Sequence, residues 1–485
     1  MINFRIIYKI LGALLFIEAS LMIWCLLMAI YFGEDDTLPF ALSVVVTVLA
    51  GIYLRFAGRN ADNILTRRDS FLVVTLAWVV FSAFGTMPFL LGGYLHSFTD
   101  AFFEMMSGFT TTGATIIDDV ESLPHGILFW RSLSQWIGGL GIVFFTIALL
   151  PSFVGGNTKV FAAESTGPIK TRLHPKLSMG ARWIWAVYLF LTFSCMASYM
   201  LCGMNWFEGI NFAMSTTATG GFSIYNESIA YFHNPALDYT SAFYCFASGI
   251  NFTLLYFSVA KLKFKELWKD SEFQFYSLVV LIFAAFVMFE LIYRNDYGIE
   301  KAFRTSIFQI ISFITTTGFC NDDANTWPHI TWVVLSVCMF LGACSGSTSG
   351  GFKCVRGVMM LKIIKNELHQ RLHPSAVFPL KISGNNVPGS QRVSLLAFFS
   401  TYLLIILGMA FVLIAFGVDN IDAITVCLSS LGNVGPALGK EIGPTMSWSI
   451  LPDGAKWICS FMMLVGRLEI FTVLVILTPS FWTKN

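Results

Sequence analysis

The chain has 485 residues, of which 56% are hydrophobic and only 12% charged, with a mean hydropathy of +0.70. Those proportions exclude a soluble globular fold and place the chain in a bilayer. The formal net charge of +1 identifies no partner, because charges on opposite faces of a membrane protein cancel in the sum while staying apart in space.

Apolar runs of about 20 residues, enough to cross roughly 30 Å of hydrocarbon as helix, recur along the whole sequence. The first, residues 10–32, is too long for a signal peptide and lacks a convincing small-residue cleavage site, so it is expected to be retained. It is followed by runs at 38–53, 71–91 and 126–150, then 183–201, 239–259 and 273–291. The last are 328–364 with an interruption, 393–416 and 456–477, which makes ten predicted spans. An even number puts both termini on one side, and the basic residues agree. Arg5, Lys9, Arg55, Arg59, Arg67, Arg68, Lys159, Lys170, Arg172, Lys176, Arg182, Lys261, Lys263, Lys265 and Lys269 fall on one face, with those between 353 and 392. Glu34, Asp35, Asp36, Asp118, Asp119, Glu121, Asp322 and Asp323 fall on the other, where an anionic vestibule would concentrate cations. An ordinary positive-inside bias leaves the same pattern.

Four segments between spans are too short and too polar to cross, and each ends in a glycine turn. They read Thr110-Thr111-Thr112-Gly113, Ala218-Thr219-Gly220-Gly221, Thr315-Thr316-Thr317-Gly318 and Gly432-Asn433-Val434-Gly435. Their spacing of about a hundred residues marks a repeated module. Each turn is preceded by a short stretch opened by acids or Asn, namely Asp100 with Glu104, Asn205 with Glu208, Glu300, and Asn420 with Asp422. These residues suit the first turn of a helix. Such a stretch cannot span, so it is predicted to be a re-entrant half-helix, about one turn longer in the third copy. Four half-helix carboxyl ends converging near the midplane would stabilise a cation, and the returning backbone would replace the ion's water with carbonyls. One such turn alone is weak evidence. Four, each followed by a glycine in the next span (Gly139, Gly249, Gly342, Gly466), predict a pore.

These turns resemble those of the Trk/Ktr/HKT superfamily of potassium and sodium transporters, within it the TrkH/TrkI branch. Two further runs carry the likeness: Arg131-Ser132-Leu133-Ser134-Gln135-Trp136-Ile137-Gly138-Gly139-Leu140-Gly141-Ile142, and Ser345-Gly346-Ser347-Thr348-Ser349-Gly350-Gly351. The resemblance covers the whole chain. It implies an all-α membrane fold with two N-terminal transmembrane helices (1–69) and four helix, re-entrant helix, helix repeats at 70–155, 156–265, 266–372 and 373–485 around one pore. It also implies a potassium filter formed by Thr111, Thr112, Gly113, Ala218, Thr219, Gly220, Thr316, Thr317, Gly318, Asn433, Val434 and Gly435. Glycine at 113 favours potassium, since a serine in the first turn marks sodium-selective plant members.

Residues 342–351 hold four glycines and three serines, so the eighth span must break there and line the pore below the filter. The resemblance makes it a gating loop, comprising Gly346, Ser347, Thr348, Ser349, Gly350 and Gly351. Arg467 lies at the equivalent depth of the last span, where an arginine costs roughly 2.5 to 3.5 kcal/mol unless it faces the pore or a partner. It is expected either to bond the Ser/Gly loop or to pair with Glu469. Glu18, in the first span, is read as a helix-contact residue. His369 and His373 lack a third ligand for a metal site, and the ten cysteines read as small core residues.

Potassium is therefore expected as the substrate, with no cofactor in this chain. Gly350-Gly351-Phe352-Lys353 is not a phosphate-binding loop, and nothing indicates an enzyme or a nucleic-acid partner. From the resemblance come a homodimer, a cytoplasmic TrkA-type regulatory subunit with ATP/ADP or NAD sites, a lipid-embedded location in the bacterial inner membrane, and cytoplasmic termini. A sodium-coupled or sodium-permeable transporter is the alternative.

Overall fold

The computed structural model describes residues 2–61, 65–141, 177–376 and 378–483. The fold is helical, and its only strands among the described residues are β1 (Lys381–Ile382) and β2 (Asn385–Asn386), a two-residue hairpin. Two helices, α1 (Phe4–Phe32) and α2 (Thr37–Ala57), form an antiparallel pair at the edge. They approach at Gly12, where a Cβ would lie 2.8 Å from the Gly51 carbonyl oxygen, the close small-residue contact that membrane helices use in place of hydrophobic drive. The outer flank of α2 (Leu38, Leu42, Val45, Leu49) is exposed and apolar, which suits acyl chains. Glu18 is fully buried within the bundle rather than facing that flank.

Four repeats follow around one central pore. The first contains the outer helix α3 (Arg67–Leu91), the half-helix α4 (Phe98–Phe109) and the inner helix α5 (His125–Leu140). The second contains α6 (Leu177–Leu201), the half-helix α7 (Trp206–Ala218), and α8 (Pro235–Ser248) continued by α9 (Phe252–Ala260). The third has α10 (Ser271–Asn295), the half-helix α11 (Ile299–Ile314), α12 (His329–Leu341) and α13 (Cys354–Leu372). The fourth has α14 (Gly389–Ala415), the half-helix α15 (Asn420–Gly432), α16 (Asp453–Arg467) and α17 (Phe471–Leu477). The half-helices have 12, 13, 16 and 13 residues, and the third is indeed the long one. At about 1.5 Å per residue none can cross the hydrocarbon.

The inner helices depart from the predicted continuous spans. A single interruption was expected, at 342–351, and it is present between α12 and α13; in addition α8 and α9 meet at 107°, and α16 and α17 at 119°. Both breaks fall beside the inner ends of half-helices, which glycines allow to approach closely. A Cβ on Gly249 would lie 2.8 Å from the Thr315 methyl at the end of α11, and one on Gly466 would overlap the Leu431 carbonyl of α15. Gly138 likewise faces the Phe109 carbonyl of α4. Residues 142–150 of the fourth predicted span, the boundary at 155, and Lys159, Lys170, Arg172 and Lys176 lie outside the described residues.

The expected first-turn caps hold for the second half-helix, where Asn205 and Glu208 form a reciprocal capping box. Glu104 is a correction. It sits mid-helix, buried, and not in the first turn of α4. All ten cysteines are unpaired and all but Cys202 are buried.

Candidate functional site

Each half-helix ends in the same device. One residue enters the left-handed region at Thr111, Thr219, Thr316 and Asn433, with φ of 54°, 52°, 56° and 53°. The following N–H then bonds back to a serine carbonyl: Thr112 to Ser107, Gly220 to Ser215 and Thr317 to Ser312, each at 2.9 Å, and Val434 to Ser429 at 3.0 Å. These bonds satisfy carbonyls that a helix end leaves open. Next comes a glycine with φ of 84°, 83°, 83° and 101°, at Gly113, Gly221, Gly318 and Gly435.

This fixes the register of the second turn, which differs by one residue from the sequence expectation of Ala218, Thr219 and Gly220. Ala218 is the last helical residue of α7, and Gly220 is not left-handed. Thr219, Gly220 and Gly221 are the residues that match Thr111, Thr112 and Gly113, or Thr316, Thr317 and Gly318, or Asn433, Val434 and Gly435. With two glycines in succession the choice belongs to backbone conformation. The serine six positions before each left-handed glycine is the sequence signal that would have set it.

The four turns close on one another in chain order. A Cβ on Gly113 would overlap the Gly220 carbonyl oxygen, one on Gly221 the Thr317 oxygen, and one on Gly318 the Val434 oxygen; one on Gly435 would lie 2.5 Å from the Thr112 oxygen. Each turn therefore presses its glycine against a neighbour's carbonyl, and only a residue without Cβ allows that approach. On the outer side the four glycines line a single cavity of about 90 Å³, with Asp118, Arg131 and Tyr225 among its other walls.

On the inner side lies the Ser/Gly loop. Thr348 Oγ1 donates to the Thr217 carbonyl of α7 at 3.1 Å, and the Gly350 N–H to Thr316 Oγ1 at 2.7 Å. A Cβ on Gly350 would overlap the Gly432 carbonyl of α15. The loop thus abuts the inner ends of three half-helices. Arg467, 8% exposed, supplies the fourth side: it donates to Thr348 O at 2.9 Å, and to Gly138 O and Gly139 O at 2.5 and 2.8 Å. Glu469 bonds Arg356 at 2.5 Å. Ser347 and Ser349 share a hydroxyl bond of 2.8 Å, and Gly346 and Gly351 supply positive φ at the bends. Lys353, counted in the sequence among the basic residues of one membrane face, is instead buried beneath the loop with its Nζ on the Ser349 carbonyl.

Two further bracing groups were missed. Gln135 donates to the Gly220 carbonyl at 2.7 Å and accepts from Ser215 Oγ and the Phe222 N–H, so it fixes one ring oxygen directly. Glu104 accepts from Arg131 at 2.8 Å and from the Ile116 N–H at 3.0 Å, while Arg131 reaches the Ser223 carbonyl and lies over Phe222. This pair, 2% and 0% exposed, ties the return strand of the first turn to that of the second. Removing one partner of a buried pair costs roughly 3 to 5 kcal/mol. Glu104→Ala is accordingly expected to lower the melting temperature of detergent-purified protein sharply. An unchanged melting curve would contradict this bracing role.

Among the described residues, no three His, Cys, Asp or Glu converge as a metal site. The chain matches the family TrkH, described as cation transport protein, over residues 38–484. It is 37% identical to the Trk system potassium uptake protein TrkH of Halomonas elongata, across 99% of this chain and 100% of that one. Against the TrkH of Escherichia coli K12 the identity is 35% over the same shares. The crystal structure of the potassium transporter TrkH from Vibrio parahaemolyticus superposes with a TM-score of 0.89 at 34% identity, covering 99% and 100% of the two chains. The closed ring of left-handed glycines thus stands in a chain that belongs to the TrkH family of cation transport proteins.

Proposed function

We propose that this protein carries potassium through the inner membrane of a bacterium, along the axis of the glycine ring. The observation behind this reading is the ring itself, in which four carbonyls (Thr112, Gly220, Thr317, Val434) each lie against the glycine of an adjoining turn, just beyond the negative ends of four half-helices. A dehydrated monovalent cation is the ligand such a site suits, and relatives over the full length are named potassium uptake proteins. In this reading the triplets ending at Gly113, Gly221, Gly318 and Gly435 are the filter, the loop from Gly346 to Gly351 is the gate, and Arg467 holds the gate closed.

Regulation would come from outside the chain. The helix α13 begins at the loop and runs into exposed basic residues, Lys365 and Arg371, where a TrkA-type nucleotide-binding subunit (ATP/ADP or NAD) could pull. A homodimer with one pore per copy and cytoplasmic termini completes the proposal.

Rubidium and sodium uptake by purified protein in proteoliposomes tests the assignment. A strong preference for rubidium is expected. Equal permeabilities would overturn potassium selectivity in favour of a sodium-permeable transporter.

A further inference from the structure

Glu272 is the second residue of α10, and only 6% of it is exposed. Its carboxylate accepts three hydrogen bonds. Oε1 takes the Ser345 N–H at 2.6 Å and the Val355 N–H at 2.9 Å, and Oε2 takes the Ser345 hydroxyl at 2.9 Å. Ser345 and Val355 stand at the two ends of the Ser/Gly loop. One side chain from a neighbouring helix therefore gathers both ends.

The second contact has a direction. Val355 lies in the first turn of α13, where helix amides are unpaired and a carboxylate is favoured. The helix beyond it leads to the basic cytoplasmic stretch. Because one oxygen binds both the loop entrance and the head of α13, moving that helix away must disturb the grip on Ser345. Lys353, the buried cation within the loop, is committed to Ser349 instead.

We propose that Glu272 is a positioning residue for gating: a latch that holds the base of the loop to α10 and transmits displacement of α13 to the loop. This rests on the reading of that loop as the gate. Glu272→Ala, in proteoliposomes without any added partner, is expected to raise rubidium uptake about tenfold with the rubidium-to-sodium ratio unchanged. Glu272→Gln retains an oxygen for both N–H groups and is expected to stay within about twofold of the unmodified protein. Ser345→Ala, which deletes only the hydroxyl donor, should raise uptake about threefold.

Folded Glu272→Ala protein with unchanged or reduced uptake would overturn the latch. Should that variant fail to elute as a single species, Ser345→Ala decides, and unchanged uptake there refutes the proposal. Arg467→Ala measured alongside separates the two claims. If it raises uptake while the Glu272 and Ser345 variants do not, the latch falls and the gate stands; if none does, the gate reading itself falls.

Discussion

Gly221→Ala is expected to reduce rubidium uptake by about a hundredfold and to erase discrimination against sodium, as should the same change at Gly113, Gly318 or Gly435. Two costs act together. A side chain in the left-handed region costs roughly 1 to 2 kcal/mol, and the new methyl would occupy the space of a carbonyl oxygen on the adjoining turn. That oxygen is backbone, fixed by a helix cap, and can retreat only by leaving the ring. Gly220→Ala provides the contrast. Its backbone is not left-handed, and its Cβ would meet the side-chain amide of Gln135 rather than backbone. A loss of about tenfold or less is expected there. Equal damage at the two positions, measured in the same flux assay, would mean that the register given for the second turn is wrong.

Arg467→Ala is expected to raise uptake about tenfold or more while leaving ion preference intact, because it removes charge-assisted hydrogen bonds, three of them to described residues, worth roughly 1.5 to 3 kcal/mol each before solvent takes their place. Those three acceptors, among the described residues, lie on two separate pieces of chain, the Thr348 carbonyl in the loop and the Gly138 and Gly139 carbonyls at the end of α5. The guanidinium fork bridges them with fixed geometry. Arg467→Lys keeps the charge but lacks that fork, so an intermediate rise is expected. Single-channel recording reads the effect as open probability. A conductance or selectivity change at constant open probability would move Arg467 out of the gate.

Much of this architecture was legible in the residues because short, polar, glycine-ended segments between long apolar ones have few physical solutions in a bilayer. The four half-helices and the break at 342–351 follow from length and glycine content alone. The bends after Ser248 and Arg467 do not, since hydropathy averages across them and the first contains one glycine, Gly249, and the second none. What lies beside each is a neighbour, the end of a half-helix distant in sequence. For a similar reason Glu104 was read as a first-turn residue, and Gln135 and Glu272 were given no role. Each looks like an ordinary helix residue until its partners, Ile116 and Arg131, Gly220, and Ser345 and Val355, are brought to it by the fold.

The ring is closed by a single polypeptide, so its quadrants are free to diverge. Where Thr111 and Thr316 carry hydroxyls, the fourth quadrant has Asn433, whose amide bonds Thr112 Oγ1 and the Met463 carbonyl. An assembly of identical subunits must change every wall at once when its gene mutates. Here inheritance can edit one wall at a time, which lets ion preference drift in small steps rather than collapse at the first substitution.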